Sequence, residues 1–222
     1  MSARELAQRI RRRAREEDAP LSSSLASGLE RYYQLLTKWN ARINLTSLPL
    51  PPAGDDRAID RLLIEPLVAA KHLPPTAQAI LDVGSGGGSP AIPLKLAANT
   101  MRLRMVEAKV RKAVFLRQAV RELGLADVAV ETSRFEELLT RPELHEAADV
   151  ITLRAVRVES SMFGTLQAFL KPGGQIFLFR GPGGGDVTQG LTPPLRWTAT
   201  HPLTASNRSR LVVVTKGVVG ES

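Results

Sequence analysis

The fold is decided by one stretch of the chain, AILDVGSGGGSP at residues 79–90. The apolar run at 79–83 predicts a short buried strand, and three alternate glycines follow it within residues 84–88. Glycine allows tight turns and the close approach of a ligand that a Cβ atom would obstruct. Because a helix is predicted after Pro90, this turn would lie at the carboxyl end of a sheet strand, where open α/β sheets bind ligands.

Around this turn, short apolar runs alternate with helical patterns, which is typical of a parallel sheet with crossover helices. Strands are predicted at 79–83, 102–106, 128–131, 149–153 and 175–179. Helices are predicted at 92–98, 109–123, 135–139 and 159–170. Two further strands, 196–201 and 208–216, follow with no helix between them and predict a hairpin that closes a seven-stranded, mostly parallel sheet. The fold class is therefore α/β.

The first third of the chain has a mostly helical pattern. The charged segment 4–17 permits a helix, and segment 22–39 carries apolar residues at spacings of three and four that mark one amphipathic face. A third helical stretch, 56–72, contains Pro66, which predicts a kink or a helix start. The chain is thus expected to form an N-terminal helical extension, residues 1–75, packed on a ligand-binding domain, residues 76–222.

Three aromatic residues in the second helical segment allow more than one interpretation. Trp39 and the pair Tyr32 and Tyr33 could stack on the bases of a nucleic acid. For Trp39 and Tyr32 a second interpretation is packing in the core. Their place on the amphipathic face favours this second interpretation, with both side chains packed against the sheet.

The composition excludes several kinds of protein and site. The chain has 222 residues, of which 43% are hydrophobic and 23% charged, as in an ordinary globular domain. It has no cysteine, which excludes disulfides and thiolate metal sites. Its three histidines show no ligand spacing, so no metal site is expected. Neither a secretory signal nor a membrane-spanning apolar run occurs, so we expect a cytoplasmic protein with no membrane partner.

The chain carries an excess of basic residues. Its 30 Lys and Arg against 22 Asp and Glu give a formal net charge of +8, and its pI is about 10.4. The excess is concentrated at 102–121, where seven basic residues occur with one acid, Glu107. A polyanionic partner such as a nucleic acid would fit this charge, and the alternative is an ordinary solvated helix face.

The residues around the turn indicate the kind of ligand. Glu107 ends the next predicted strand, about 20 residues beyond the turn, at the spacing of an acid that accepts hydrogen bonds from ribose hydroxyls. The turn lacks the lysine of a phosphate-binding loop, and its G-x-G-x-G spacing differs from the G-x-G-x-x-G of NAD sites. Asp82 immediately before the turn disfavours a pyrophosphate. An adenosine-containing ligand with a cationic or zwitterionic end is therefore favoured.

These features, with KPGG at 171–174 and the terminal strand pair, resemble class I S-adenosylmethionine-dependent methyltransferases of Rossmann-like fold. The chain most resembles the 16S ribosomal RNA guanine-N7 methyltransferases, the glucose-inhibited division protein B family. The similar segments are LTKWN at 36–40, INLT at 43–46, LDVGSG at 81–86, IPL at 92–94, RK and FLR within 111–117, RFEE at 134–137, RA at 154–155 and RLVV at 210–213.

Three segments depart from the family pattern. The family's R-H-x-L-D-S appears as RLLIEP at 61–66, and its G-x-P-G as SPA at 89–91. A glycine-rich loop at 181–185 opens a segment where a helix would be usual. A divergent member or a paralogue that acts on another RNA guanine therefore remains an alternative.

The resemblance implies a cofactor, a substrate and a set of site residues. The cofactor is S-adenosylmethionine, and the implied cofactor-binding residues are Asp82, Gly84, Gly86, Ser89, Glu107, Phe135, Glu136 and Arg154. Arg154 and Arg210 are expected to position the guanine, with no general base because N7 already carries a lone pair. The residues expected to bind RNA are Arg111, Lys112, Arg117, Arg121 and Arg134.

The expected partner is 16S ribosomal RNA or the small ribosomal subunit, bound by a monomer without a metal. Two alternatives differ in chemistry: a methyltransferase that acts on another RNA, a protein or a small molecule, and a non-catalytic RNA-binding protein that keeps the fold.

Overall fold

The computed structural model describes residues 2–50, 55–155, 160–183 and 190–218. Within these residues seven strands form one sheet in the order β3-β2-β1-β4-β5-β7-β6. The strands are β1 (Ala79–Val83), β2 (Arg102–Val106), β3 (Val128–Glu131), β4 (Ala148–Arg154), β5 (Leu170–Arg180), β6 (Leu195–Pro202) and β7 (Arg210–Lys216). Pairings among β1 to β5 are parallel, and β7 is antiparallel to β5 and β6. The predicted sheet and its terminal hairpin are confirmed.

The chain changes its direction of winding beside β1. From β1 it moves outward through β2 to β3, and it then returns to add β4 and β5 on the other side. The carboxyl ends of β1 and β4 therefore flank a crevice at a topological switch point, where α/β sheets bind ligands. Four of the five β1 residues are buried, so the turn that follows has a fixed base.

Helices cover both faces of the sheet. They are α1 (Ala3–Glu16), α2 (Ser23–Asn40), α3 (Asp56–Ile59), α4 (Glu65–Ala70), α5 (Ala91–Ala97), α6 (Val110–Leu123) and α7 (Ser160–Phe169). The hydroxyls of Ser2 and Ser22 cap α1 and α2 by accepting from backbone N–H groups. In the part of the chain that the structure describes, no helix has the length and apolar character to cross a membrane.

Three predicted elements differ from those observed. The segment predicted as a helix at 135–139 is a 3-10 helix, Phe135–Thr140, followed by another at Pro142–Leu144. The first ends before Arg141, because a residue that precedes proline disfavours the α conformation. The strand predicted at 175–179 begins at Leu170, which pairs with Ala148 before a register shift. The single helix predicted at 56–72 is divided between α3 and α4.

A π-helical turn, Asp60–Ile64, separates α3 from α4, and Pro66 lies at the start of α4. The sequence indicated a helix start at Pro66 but gave no sign of the π turn. The loop predicted at 181–185 extends into residues 184–189, which lie outside the described residues.

The N-terminal helices share one hydrophobic core with the sheet. Tyr32 of α2 is fully buried, and its hydroxyl donates to the carbonyl oxygen of Gly87 at 2.7 Å. Trp39 is half-buried, with its ring centroid 5.8 Å from that of Phe115 in α6. Packing was the favoured interpretation of both aromatic residues, and both belong to or pack against the core that includes sheet residues; the contacts with the glycine turn and α6 were not predicted.

Candidate functional site

The turn between β1 and α5 depends on glycine at several positions. The φ angles of Gly84, Gly86 and Gly88 are +73°, +53° and +89°, in a region that other residues rarely adopt. A Cβ on Gly88 would lie 2.6 Å from Cδ1 of Ile92, so this glycine packs against α5. A Cβ on Gly86 would meet no atom closer than 3.7 Å, and Gly84 is exposed. The turn is therefore packed against α5 at Gly88, whereas its backbone at Gly84 and Gly86 is open to a ligand.

Glu107, at the end of β2, holds the turn in place. Its Oε2 accepts from the backbone N–H of Gly86 and its Oε1 accepts from that of Lys109, both at 2.8 Å. The side chain of this residue is largely buried. Glu107 thus ties two loops together at the crevice, a contact that the sequence did not predict. Each oxygen keeps a lone pair for the ribose contact that was predicted.

Asp82 is buried at the end of β1, and only one of its two carboxylate oxygens accepts a hydrogen bond from a described residue. Its Oδ1 accepts from the hydroxyl of Thr152 in β4 at 2.5 Å, whereas Oδ2 has no hydrogen-bond partner among the described residues. Burial raises the pKa of Asp82 to about 6, against the lowering effect of the hydroxyls of Ser85 and Thr152. A buried carboxylate oxygen that accepts no hydrogen bond from the described residues suits a ligand that carries a hydrogen-bond donor.

A cavity of about 250 Å³ opens beside the turn at the β1–β3 side of the crevice. Its walls are formed by Val83, Gly84, Val106, Ala108, Ser133, Arg134, Phe135 and Glu136. The structure thus brings together four residues predicted to lie at the site, on two segments: Gly84 in the glycine turn, and Arg134, Phe135 and Glu136 after β3. A half-buried aromatic ring and an exposed carboxylate in one cavity give it a hydrophobic wall and a hydrogen-bond acceptor.

Arg154, at the end of β4, is fixed by several contacts, and its side chain is 7% exposed. Its Nη2 donates to Oε2 of Glu65 at 3.0 Å, and its Nη1 donates to Oγ of Ser89 at 3.2 Å and to the carbonyl oxygen of Arg61. The guanidinium carbon lies 4.3 Å from the ring centroid of Phe179. Burial lowers the pKa of Arg154 to about 10, so the group stays charged at neutral pH.

Glu65 connects Arg154 to the β6–β7 hairpin. It is fully buried, and its Oε1 accepts from the amide of Asn207 at 3.0 Å and from the hydroxyl of Thr204 at 3.5 Å. Its Oε2 lies 3.5 Å from a guanidinium nitrogen of Arg61, in addition to the contact with Arg154. One carboxylate therefore joins α4, β4 and the loop between the last two strands.

The π turn and Pro66 leave two backbone carbonyl oxygens available as acceptors for side chains of this site. The N–H of Glu65 donates to the carbonyl oxygen of Asp60, and Pro66 has no N–H. The carbonyls of Arg61 and Leu62 can therefore receive no bond from residue 66 in either helical pattern. They accept instead from Arg154 and from the hydroxyl of Ser89, the latter at 2.8 Å.

Arg210 begins β7, opposite Arg180 in β5, whereas Arg154 is paired with Phe179 of the same strand. The two arginines predicted to position a substrate therefore lie on the same edge of the sheet but on opposite sides of β5, about 10 Å apart by strand spacing. Arg154 lies with Ser89 at the glycine turn. The structure does not bring Arg210 into that cluster.

The residues of α6 predicted to bind RNA lie on the β2–β3 side of the molecule. Arg111, Arg117 and Arg121 are exposed, and Lys112 is half-buried. The guanidinium of Arg117 donates to the carbonyl oxygen of Val130 at 2.9 Å and to the hydroxyl of Thr132 at 2.7 Å, so part of its donor capacity serves the packing of β3.

Sequence reasoning missed Thr152, Asn207 and the contacts of Glu65. Thr152 is one polar residue in an apolar strand, and its polarity was the available signal. Glu65 was noted as a departure from a family pattern, without a partner. Asn207 lies far away in sequence, and only the fold brings it to α4.

Comparison with known proteins identifies the family. Residues 26–186 match the sequence model of GidB, described as rRNA small subunit methyltransferase G. The matched segment contains the glycine turn, the cavity residues and Arg154. The chain belongs to the GidB family. Among the described residues of this GidB-family protein, no group of three or more His, Asp or Glu could hold a metal ion.

Curated relatives that match much of this chain's length carry one name. The Ribosomal RNA small subunit methyltransferase G of Nitrosomonas europaea is 37% identical over 146 residues, which cover 66% of this chain and 60% of the relative. The protein of that name from Xanthomonas axonopodis pv. citri is 32% identical over 203 residues, which cover 89% of this chain and 90% of the relative.

Solved structures show the same fold at low sequence identity. A SAM-dependent methyltransferase from Aquifex aeolicus matches with a TM-score of 0.55 and 16% identity, over 74% of this chain and 94% of that one. A putative O-methyltransferase from Klebsiella pneumoniae matches with a TM-score of 0.56 and 16% identity, over 90% and 92%. The GidB-family protein therefore has the class I methyltransferase fold that its sequence predicted.

The raised pKa of Asp82 predicts an unusual effect of pH on stability. The folded, ligand-free protein binds the Asp82 proton more tightly than the unfolded chain does, whose pKa is near 3.8. The stability that this proton contributes is fully present below pH 3.8 and is lost as the pH rises through about 6. The loss amounts to about 3 kcal/mol at most.

Asp82→Asn cannot ionise and should not show this loss. Relative to the unsubstituted protein, its free energy of unfolding should increase by up to about 3 kcal/mol between pH 4 and pH 8 in urea titrations. Parallel pH profiles for Asp82→Asn and the unsubstituted protein would show that Asp82 is not destabilised by burial.

Proposed function

We propose that this protein transfers a methyl group from S-adenosylmethionine to N7 of a guanine in 16S ribosomal RNA. The family match over residues 26–186 carries the proposal, because it includes both the glycine turn and Arg154. The names of the two relatives, rRNA small subunit methyltransferases, support the substrate class. The class I fold supports the reaction type.

The residues beside the turn fit the adenosine part of S-adenosylmethionine. We infer that Phe135 contacts the adenine ring and that Glu136 accepts from its exocyclic amine, since both line the cavity at the β1–β3 side. Glu107 would accept from the ribose hydroxyls with the lone pairs left free by its two backbone contacts. The open backbone of Gly84 and Gly86 would lie along the ligand.

The residues of β1 and β4 fit the methionine part. The unpaired Oδ2 of Asp82 offers a buried acceptor, which suits the positive charge of this zwitterionic end. Ser89 and Arg154 lie on the other side of the turn. The guanidinium of Arg154 provides a donor for a carboxylate, and Ser89, whose hydroxyl donates to the carbonyl oxygen of Leu62, helps to hold that guanidinium in place. When bound, the cofactor supplies a methyl group on a positively charged sulfur.

The protein's part in the reaction is to orient the base. Guanine N7 carries an in-plane lone pair at neutral pH, so no residue has to remove a proton. Holding N7 in line with the methyl group converts a bimolecular reaction into a positioned one, which can contribute several kcal/mol. We propose that Arg154 and Arg210 donate to the guanine edge, for which a guanidinium fork is suited. The Nε–H of Arg154 has no partner among the described residues and is one such donor.

The test is methyl transfer from labelled S-adenosylmethionine to 16S ribosomal RNA that lacks its N7-methylguanine. Label should appear in N7-methylguanine after nuclease digestion, with naked RNA and with small subunits tested separately. RNA that already carries the modification is the matched control and should accept no label. Cofactor binding without any transfer to rRNA would contradict the proposal, and label in protein or small molecules would favour the alternative substrates.

Charge supports a wider RNA surface. We propose that Arg111, Lys112, Arg117, Arg121 and Arg134 contact phosphates, which would make RNA affinity fall with salt. We also propose that residues 1–75 act as an extension packed on a methyltransferase domain at 76–222, since α1 and α2 share one core with the sheet. A monomer in the cytoplasm, where ribosomal RNA is found, completes the proposal.

A further inference from the structure

A second cavity lies at the opposite side of the crevice from the adenosine cavity. Its volume is about 760 Å³, and it runs between the end of α4 and the β6–β7 hairpin. Its walls include Glu17, Lys71, His72, His201, Arg208 and Arg210. We call this cavity the hairpin groove. None of its residues belongs to the basic helix α6 that the sequence singled out.

The hairpin groove is basic. Glu17 is its only carboxylate among the lining residues, and that group is offset by Arg13 at 3.1 Å and by the N–H of Ala205 at 3.3 Å. Three cationic side chains, on Lys71, Arg208 and Arg210, also line the groove. The ammonium group of Lys71 lies 3.4 Å from the carboxylate of Asp18, whereas no described residue forms an ion pair with Arg208. The surface therefore favours an anionic occupant.

Arg208 stands out in the groove. It is exposed, and the described residues offer its guanidinium no hydrogen bond or ion pair. Its backbone has a φ of +45°, which is uncommon for a residue other than glycine. Residues with a strained backbone are often found at ligand-binding sites. Here the strained residue places at the groove a cationic side chain without a partner among the described residues.

Flat surfaces also line the groove. The rings of His72 and His201 are stacked, with centroids 3.7 Å apart and planes within 16° of parallel. Burial and the nearby His201 and Lys71 lower the pKa of His72, which keeps this ring neutral at pH 7. Histidine rings of this kind can stack on unpaired RNA bases.

The groove is connected to the reacting edge of the sheet. The hairpin loop that forms its wall is anchored by Asn207 on Glu65, and Glu65 in turn holds Arg154. The adenosine cavity occupies the β1–β3 side, so a methyl group carried by the cofactor would face the β4–β7 side. The hairpin groove opens on that side, where the nucleotides next to the target guanine would have to lie.

From this placement, charge and shape, we infer that the hairpin groove binds the sugar-phosphate backbone of single-stranded RNA that flanks the methylated guanine. The inference rests on the proposed function and specifies how the substrate is held. Single-stranded or loop RNA fits because N7 is inaccessible to side chains within an A-form helix.

The test compares Arg208→Glu with Arg102→Glu in the full-length protein. Both residues are exposed arginines, and Arg102 begins β2 at the opposite edge of the sheet, so the change in net charge is the same. Arg208→Glu should raise KM for the RNA about tenfold and reduce the slope of log affinity against log salt by about one or more. Its kcat and its affinity for S-adenosylhomocysteine should remain within about twofold of the unsubstituted protein. Arg102→Glu should leave KM and slope unchanged.

Arg208→Gly separates charge from folding. Glycine accepts a φ of +45° without strain, so this variant should fold while losing the guanidinium. It should show a slope reduced by about one. Equal KM and slope for the unsubstituted protein, Arg208→Gly and Arg208→Glu would overturn the inference even if rRNA is methylated. The proposed function fails separately, if the unsubstituted protein labels no rRNA.

Discussion

Arg154→Ala is expected to lower kcat for methyl transfer by about 100-fold or more, with a much smaller change in the affinity for S-adenosylhomocysteine. The substitution removes a charged group that four contacts hold at the end of β4, where the methyl group and the guanine would meet. Single-turnover kinetics would separate the loss of the chemical step from a loss of RNA binding. Arg154→Lys keeps the charge without the planar fork and should recover only part of the rate.

Loss of stability would complicate this result, because breaking a buried ion pair costs about 3–5 kcal/mol. The double variant Arg154→Met with Glu65→Gln removes both charges and leaves Asn207 an acceptor at position 65. We expect it to recover much of the stability in urea titrations without recovering turnover. A double variant that folds and methylates at the normal rate would show that Arg154 serves the fold alone.

Gly84→Val is expected to abolish cofactor binding, with Kd for S-adenosylhomocysteine raised more than about 100-fold in calorimetry. A β-branched side chain at a φ of +73° is strained, and it would fill the exposed backbone surface along which the ligand would lie. Either the turn would change its conformation or the new side chain would block the ligand, and both outcomes would prevent cofactor binding.

Gly124→Val is the matched control for backbone strain. Gly124 ends α6 with a φ of +64°, and a Cβ there would have no atom within 4 Å. Both variants should lose stability to a similar degree, about 1–2 kcal/mol, whereas only Gly84→Val should lose the ligand. Equal cofactor affinity in the two variants would remove the turn from the proposed site.

The sheet was predictable because its central strands β1 and β4 are largely buried on both faces and form short apolar runs in the sequence. The order of β1, the glycine turn and α5 followed from local pattern alone. The π turn at Asp60–Ile64 was not predictable, since its residues fit an α-helix equally well and tertiary contacts decide the pattern. The 3-10 helix at Phe135–Thr140 was predicted only as a helix, because a run of about five or six residues is compatible with both α and 3-10 hydrogen bonding.

The cavity beside the glycine turn, where we propose that adenosine binds, was predictable to a greater extent than the surroundings of Arg154, where we propose that the substrate binds. Gly84, Phe135 and Glu136 lie on segments with local motifs, and parallel strands bring those segments to one edge. The role of Glu107 in shaping the turn and the link from Glu65 to Asn207 depend on distances between residues far apart in sequence. Such contacts follow from the fold, and no spacing along the chain encodes them.

The carbonyl of Leu62 depends on Ser89 for its hydrogen bond, and the carbonyl of Arg61 depends on Arg154. The N-terminal helices and the turn after β1 are thereby joined into one cooperative unit, in which neither segment can open locally without leaving polar groups of the other unsatisfied. A ligand bound at the turn would consequently slow the local opening of α4. Because Glu65 connects α4 to the β6–β7 hairpin, the ligand would also reduce the local opening of the hairpin.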